Sequence, residues 1–143
     1  LNDSKDKIVA LKISLKPQEK LIIGGAVIKN GPGKSDFIVE NVVPVLREKD
    51  ILTLEKADSP CRKIYLSIQL MYVDEGNLAQ YHKTYWELVK EVLEAAPSQR
   101  ELLTEMSGKI LGGSYYQALK MAKKLIDYEQ EVMNLVRIRR TGL

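Results

Sequence analysis

Arg47, at the end of the run Pro44-Val45-Leu46-Arg47-Glu48-Lys49-Asp50-Ile51, is the side chain best placed by its surroundings for recognition chemistry. At a strand exit its planar fork suits a phosphate or the edge of a guanine. Taken alone, a charged strand end is more often just solvated. Gly33-Lys34-Ser35 has the tail of a phosphate-binding loop, but the glycine needed five residues earlier is Ile28. Asp36-Phe37-Ile38-Val39 also reads as strand where that loop requires a helix, so the segment is read as a hairpin loop. His82, the single histidine, has no recognisable nucleophile and orienting carboxylate around it and is read as structural or surface. Cys61 stands in the first turn of a helix beside Arg62, a setting that lowers a thiol pKa, yet no resolving partner exists. It is read as inert. One cysteine excludes an intrachain disulfide and a cysteine-rich zinc site, and one histidine excludes a histidine cage. No metal, no cofactor and no enzymatic activity is expected.

These residues need elements to hold them. Ile8 to Lys16 alternates in part, which predicts a half-buried strand. Lys16-Pro17-Gln18-Glu19 is a turn, and Leu21 to Ile23 is a short strand ended by Gly24-Gly25. Ala26 to Ile28 leads into the hairpin signal Lys29-Asn30-Gly31-Pro32-Gly33, and Asp36–Val39 and Val42–Leu46 give two further strands. The remainder reads helical. Ser59-Pro60 is an N-cap and first-turn proline, followed by Ile64, Ile68, Met71 and Tyr72 at helical spacing. Asp74 to Asn77 breaks that helix; Leu78 to Ala95 forms the next, with Tyr81, Tyr85, Leu88, Val92 and Ala95 on one face. Pro97-Ser98 restarts a helix that ends at Gly112-Gly113, and Ser114 caps a last one, from Tyr115 to about Val136. The expected fold is α+β. A small antiparallel β domain of about five strands (residues 1–57) precedes an antiparallel bundle of about four helices (58–143).

Composition narrows function further. The 143 residues carry 22 Lys and Arg against 19 Asp and Glu, a net charge of +3. Residues 1–56 contribute +2 and residues 57–143 contribute +1, so neither half is a basic block. No apolar run approaches the roughly 20 residues of a membrane span, and no signal peptide opens the sequence, so a cytoplasmic protein is expected. All seven Tyr and the single Trp follow residue 57, leaving Phe37 alone among the strands. A sheet that stacks bases on aromatics is therefore excluded. Tyr65 with Tyr72, Tyr81 with Tyr85, and Tyr115-Tyr116 are read as core or interface packing. The tail Arg137-Ile138-Arg139-Arg140 is read as a solvated end, with extra phosphate contacts as the alternative.

Five segments, taken in order, carry a family resemblance: Ala10-Leu11-Lys12-Ile13-Ser14-Leu15-Lys16-Pro17, Leu21-Ile22-Ile23-Gly24-Gly25-Ala26-Val27-Ile28, Leu46-Arg47-Glu48-Lys49-Asp50-Ile51, Ile64-Tyr65-Leu66-Ser67-Ile68-Gln69-Leu70-Met71-Tyr72 and Tyr115-Tyr116-Gln117-Ala118-Leu119-Lys120. Together they resemble the FlbT family of flagellar biosynthesis repressors, from about Val9 to Glu129. Val9 falls where that family's initiator would lie, so residues 1–8 are expected to be an alternative start or an added segment. The resemblance implies post-transcriptional control of flagellin through the 5′ leader of its mRNA, together with the small protein FlaF. The strand region, Leu11 to Ile51, is also distantly similar to the carbon storage regulator family of RNA-binding dimers. That likeness implies RNA laid along a sheet edge, with Arg47 at the base-reading arginine and Ile13 and Lys16 at first-strand positions lining the site. Leu15 departs from it, since a basic residue is expected there.

The resulting expectation is a non-enzymatic RNA-binding regulator that forms a homodimer, with shared strands completing its β core. No membrane and no DNA is expected among its partners. Arg47 would read the RNA, Ile13 would line the site, and Lys12, Lys16 and Lys49 would neutralise phosphate. Four such cationic contacts imply a salt slope of about −3 on single-stranded RNA. The alternative is a protein-interaction module whose tyrosine-rich helices bind FlaF or flagellin directly.

Overall fold

In the computed structural model of the chain, residues 10–141 are described; the expected strand start at Ile8 and Val9 lies outside them. Alternation makes β1 (Leu11–Leu15) half-buried: Ile13 and Leu15 turn inward while Lys12 and Ser14 are exposed. The following turn is held by its own backbone, Glu19 N–H donating to the Lys16 carbonyl at 3.1 Å. β2 (Lys20–Ile23) passes into β3 (Ala26–Lys29) through Gly24, whose φ of +58° suits a residue without Cβ. Asn30 fastens the next loop, its Nδ2 donating to the carbonyls of Lys16 at 2.8 Å and Gly33 at 3.0 Å. That loop enters β4 (Ser35–Val39), a strand directly after Gly33-Lys34 and so no phosphate loop. β5 (Val45–Arg47) begins three residues later than expected and ends one later, its ladder on β2 running from Val45 opposite Ile23 to Arg47 opposite Leu21.

Among the described residues all strand pairings are antiparallel. β1 pairs with β4, Ile13 opposite Phe37, and β2 lies between β3 and β5. Ile13, Leu15 and Leu21 form a buried cluster in this unit, with Ile23, Phe37, Val39 and Val45 packed against it; Ile22 and Leu46 are buried as well. Each fully buried side chain of this kind contributes roughly 1.5–3 kcal/mol.

The second unit starts at Leu52, six residues before the expected boundary. The reason is Gln69, a buried amide whose Oε1 accepts from Leu52 N–H at 2.8 Å and whose Nε2 donates to the Leu52 carbonyl at 3.0 Å. Four helices follow: α1 (Pro60–Val73), α2 (Leu78–Ala95), α3 (Arg100–Leu111) and α4 (Tyr115–Arg140). Ser59 caps α1 as its sequence implies, accepting from Arg62 N–H at 3.2 Å. Its hydroxyl also donates to Glu129 Oε1 at 2.5 Å, and Cys61 N–H donates to Glu129 Oε2 at 3.2 Å, so α4 completes the cap. α1 packs on α2 and α4, and α3 on α4, around Ile64, Ile68, Met71, Tyr85, Met106 and Leu125. On α2 only Tyr85 and Val92 of the expected face are buried; Ala95 is exposed. The tyrosines meet across helices, Tyr72 with Tyr116 and Tyr115 with His82. α4 runs to Arg140 rather than stopping near Val136.

Candidate nucleic-acid interface

Arg47 closes β5 on the sheet position opposite Leu21, and its guanidinium is committed within the β unit. Nη2 donates to the Ser14 carbonyl at 2.8 Å and to Glu19 Oε2 at 3.3 Å. The other Glu19 oxygen accepts from Lys16 N–H at 2.9 Å. This backbone bond, more than the arginine, holds the Glu19 carboxyl below its usual pKa, with partial desolvation opposing. Glu48, beside Arg47, accepts from Lys20 N–H at 2.5 Å. Two carboxylates and one guanidinium thus stitch β1, the turn and β5 together. The Arg47 side chain keeps 39% of its exposure and Glu19 only 16%, so the arginine still offers a face to solvent.

Next to this stitch, Lys16 and Lys49 line one open depression with Pro17, Gln18, Glu19 and Glu48. Counting Arg47, three cations stand against two anions there, an electrostatic surplus of one charge. Of the five residues singled out from sequence, Lys16, Lys49 and Arg47 gather around the turn. Lys12 does not line the depression; it is exposed on β1 opposite Ile38, on the face away from the core. Ile13 is core, 2% exposed, so its side chain supports the strand from within. Sequence reasoning missed Glu19 and Glu48 as organisers. The available signal was an acid three residues after Lys16 in a turn, where a carboxylate can fold back on the backbone.

Cys61 is buried, and burial together with Glu129 pushes its thiol up to about 12, the opposite direction from the one its helix position and Arg62 suggest. Among the described residues no group of three or more His, Cys, Asp or Glu is arranged to hold a metal ion. Nor is any described helix long and apolar enough to cross a membrane.

A small two-sheet β unit with a stitched, charged turn, followed by four helices, defines a two-unit α+β protein whose candidate chemistry is non-covalent binding. The chain belongs to the FlbT family, matching the description Flagellar protein FlbT over residues 11–133. It is 40% identical over 124 residues to a probable flagellum biosynthesis repressor protein FlbT of Rhodopseudomonas palustris, covering 87% of this chain and 98% of that protein. A Bradyrhizobium diazoefficiens protein named probable flagellum biosynthesis repressor protein FlbT 1 is 42% identical, covering 87% and 85%. The flagellum biosynthesis repressor protein FlbT of Caulobacter vibrioides is 34% identical, covering 85% and 87%. No solved structure matches the chain significantly.

Proposed function

We propose that this chain is a non-enzymatic regulator of flagellar gene expression that binds the 5′ leader of flagellin mRNA through the turn of its β unit. The relatives' names, all flagellum biosynthesis repressors, support the regulatory part. One observation carries the RNA part: two lysines far apart in sequence, Lys16 and Lys49, line the same depression beside Arg47. In this reading the lysines take phosphate, and the exposed face of Arg47 takes a base edge. Ile13 acts only by holding β1. The surplus of one charge makes long-range attraction small, so affinity comes from local fit. Such a role places the protein in the cytoplasm with its mRNA.

Titrating labelled flagellin leader RNA with wild type, Arg47→Ala and Lys16→Ala/Lys49→Ala tests this. Wild type is expected to saturate, and both variants to bind at least several-fold more weakly. Absence of saturable binding by wild type rejects direct RNA recognition; equal binding by all three rejects the turn as the site. The exposed apolar residues near the end of α4 favour a second reading, in which the helical unit docks FlaF or flagellin and acts on mRNA indirectly. Retention of purified FlaF or flagellin on the immobilised chain without RNA would support it.

A further inference from the structure

α4 carries a stripe at helical spacings of three and four: Ala118, Ala122, Leu125, Glu129, Val132 with Met133, Val136 and Arg140. The first three are buried in the helical unit, and Glu129 caps α1. Beyond that point the same stripe is solvated: Met133 is 52% exposed and Val136 43%. It lines an apolar groove made of two depressions that share Val132 and Met133, and the two differ in charge. Near Pro60, Cys61, Val92 and Tyr128 the groove is acidic, lined by Glu91 and Glu129. Toward the helix end it is basic, lined by Arg137 and Arg140 around Val132, Met133 and Val136.

A surface that is acidic at one end, apolar in the middle and basic at the other is its own complement after a half-turn. We propose that this chain self-associates through α4, two copies crossing antiparallel over residues 129–140. The register that stacks Met133 of each copy on Val136 of the other brings the second copy's Arg140 toward Glu129 and Glu91. This is the alternation of layers that two antiparallel helices with this spacing require. A parallel arrangement sets like charges together. A uniformly anionic partner, RNA included, meets Arg137 and Arg140 favourably but is repelled by Glu91 and Glu129. The inference is independent of the RNA reading, and it needs no exchange of β strands.

The overlap is short. Twelve helical residues span about 18 Å, and such a contact buries less than the roughly 1,200–2,000 Å² of a standard stable interface. A reversible dimer follows, with a dissociation constant of about micromolar or weaker. Sedimentation equilibrium of the full chain from about 1 μM to about 1 mM reads it directly. The apparent mass is expected to rise from 16.2 kDa toward twice that value. Met133→Glu/Val136→Glu is expected to weaken association at least tenfold with the far-ultraviolet circular dichroism unchanged. Arg140→Glu and Glu91→Arg are each expected to weaken it, and the two together to restore it. The charge pair keeps the test decisive even where the apolar variant fails to fold. A chain that stays monomeric throughout overturns the proposal. So does association indifferent to Met133 and Val136, or a paired charge reversal that restores nothing.

Discussion

The salt dependence of RNA binding separates a site made of scattered cations from one made by the turn. Each phosphate neutralised on single-stranded RNA contributes about −0.7 to the slope of log K against log salt. Lys12, Lys16, Arg47 and Lys49 acting together give a slope of about −2.8, and raising salt from about 50 to about 200 mM then weakens binding roughly fiftyfold. The structure sets a smaller number. Lys12 stands outside the depression on the far face of β1, and the charge of Arg47 is already met by Glu19. Lys16 and Lys49 alone give a slope of about −1.4, roughly a sevenfold loss over the same range. Fluorescence anisotropy of a labelled leader RNA at four or more salt concentrations measures it. Lys16→Ala/Lys49→Ala is expected to flatten the slope toward zero, and Lys12→Ala to leave it unchanged. All three lysines are exposed, so none of these changes removes a core contact. A wild-type slope near −2.8 that Lys12→Ala reduces would refute the assignment to the turn.

Three further outcomes follow from the packing and the titrating groups. Gln69→Leu leaves the N–H and carbonyl of half-buried Leu52 without their partner and is expected to lower stability by about 2 kcal/mol, read from the urea midpoint. Glu19 has a depressed pKa when folded, so its contribution is present above the ordinary value of 4.5 and is lost as pH falls through the lower folded one. The Lys16 amide resonance is therefore expected to shift in acid below pH 4.5 in wild type and not in Glu19→Gln. Cys61 and Tyr85 titrate in the opposite sense: burial raises both to about 12, from 9.0 and 10.0. Stability is then complete below about pH 9 and is lost as pH rises toward 12, while Cys61 reacts with a thiol reagent at pH 8 only after denaturant opens the fold.

The order of strands and helices was legible because it rests on local chemistry. Alternation in Leu11–Leu15 and the proline after Ser59 act over a few residues, and both elements form where they imply. Leu78–Ala95 needed only its helical period and the breakers at each end. Glu129 was invisible as a cap because it reaches the start of α1 from 68 residues away. Gln69 moved the unit boundary by the same kind of long-range bond, one that no composition shift near residue 57 records.

By itself the sequence determined the α+β order, a strand region with Phe37 as its one aromatic, too few cysteines and histidines for an intrachain disulfide or a histidine cage, and the family. These follow from residue types and short periods, which fold the chain locally whatever surrounds it. Only the tertiary structure decided which of the candidate residues lie near one another. The alternation that made Ile13 look available also turns it into the core, 2% exposed. The arginine expected to meet a ligand freely is bound to Ser14 and Glu19, while Lys16 and Lys49 become neighbours only when β5 folds back against β2. Charge and fork geometry are properties of a residue; whether they face solvent depends on partners brought from elsewhere in the chain.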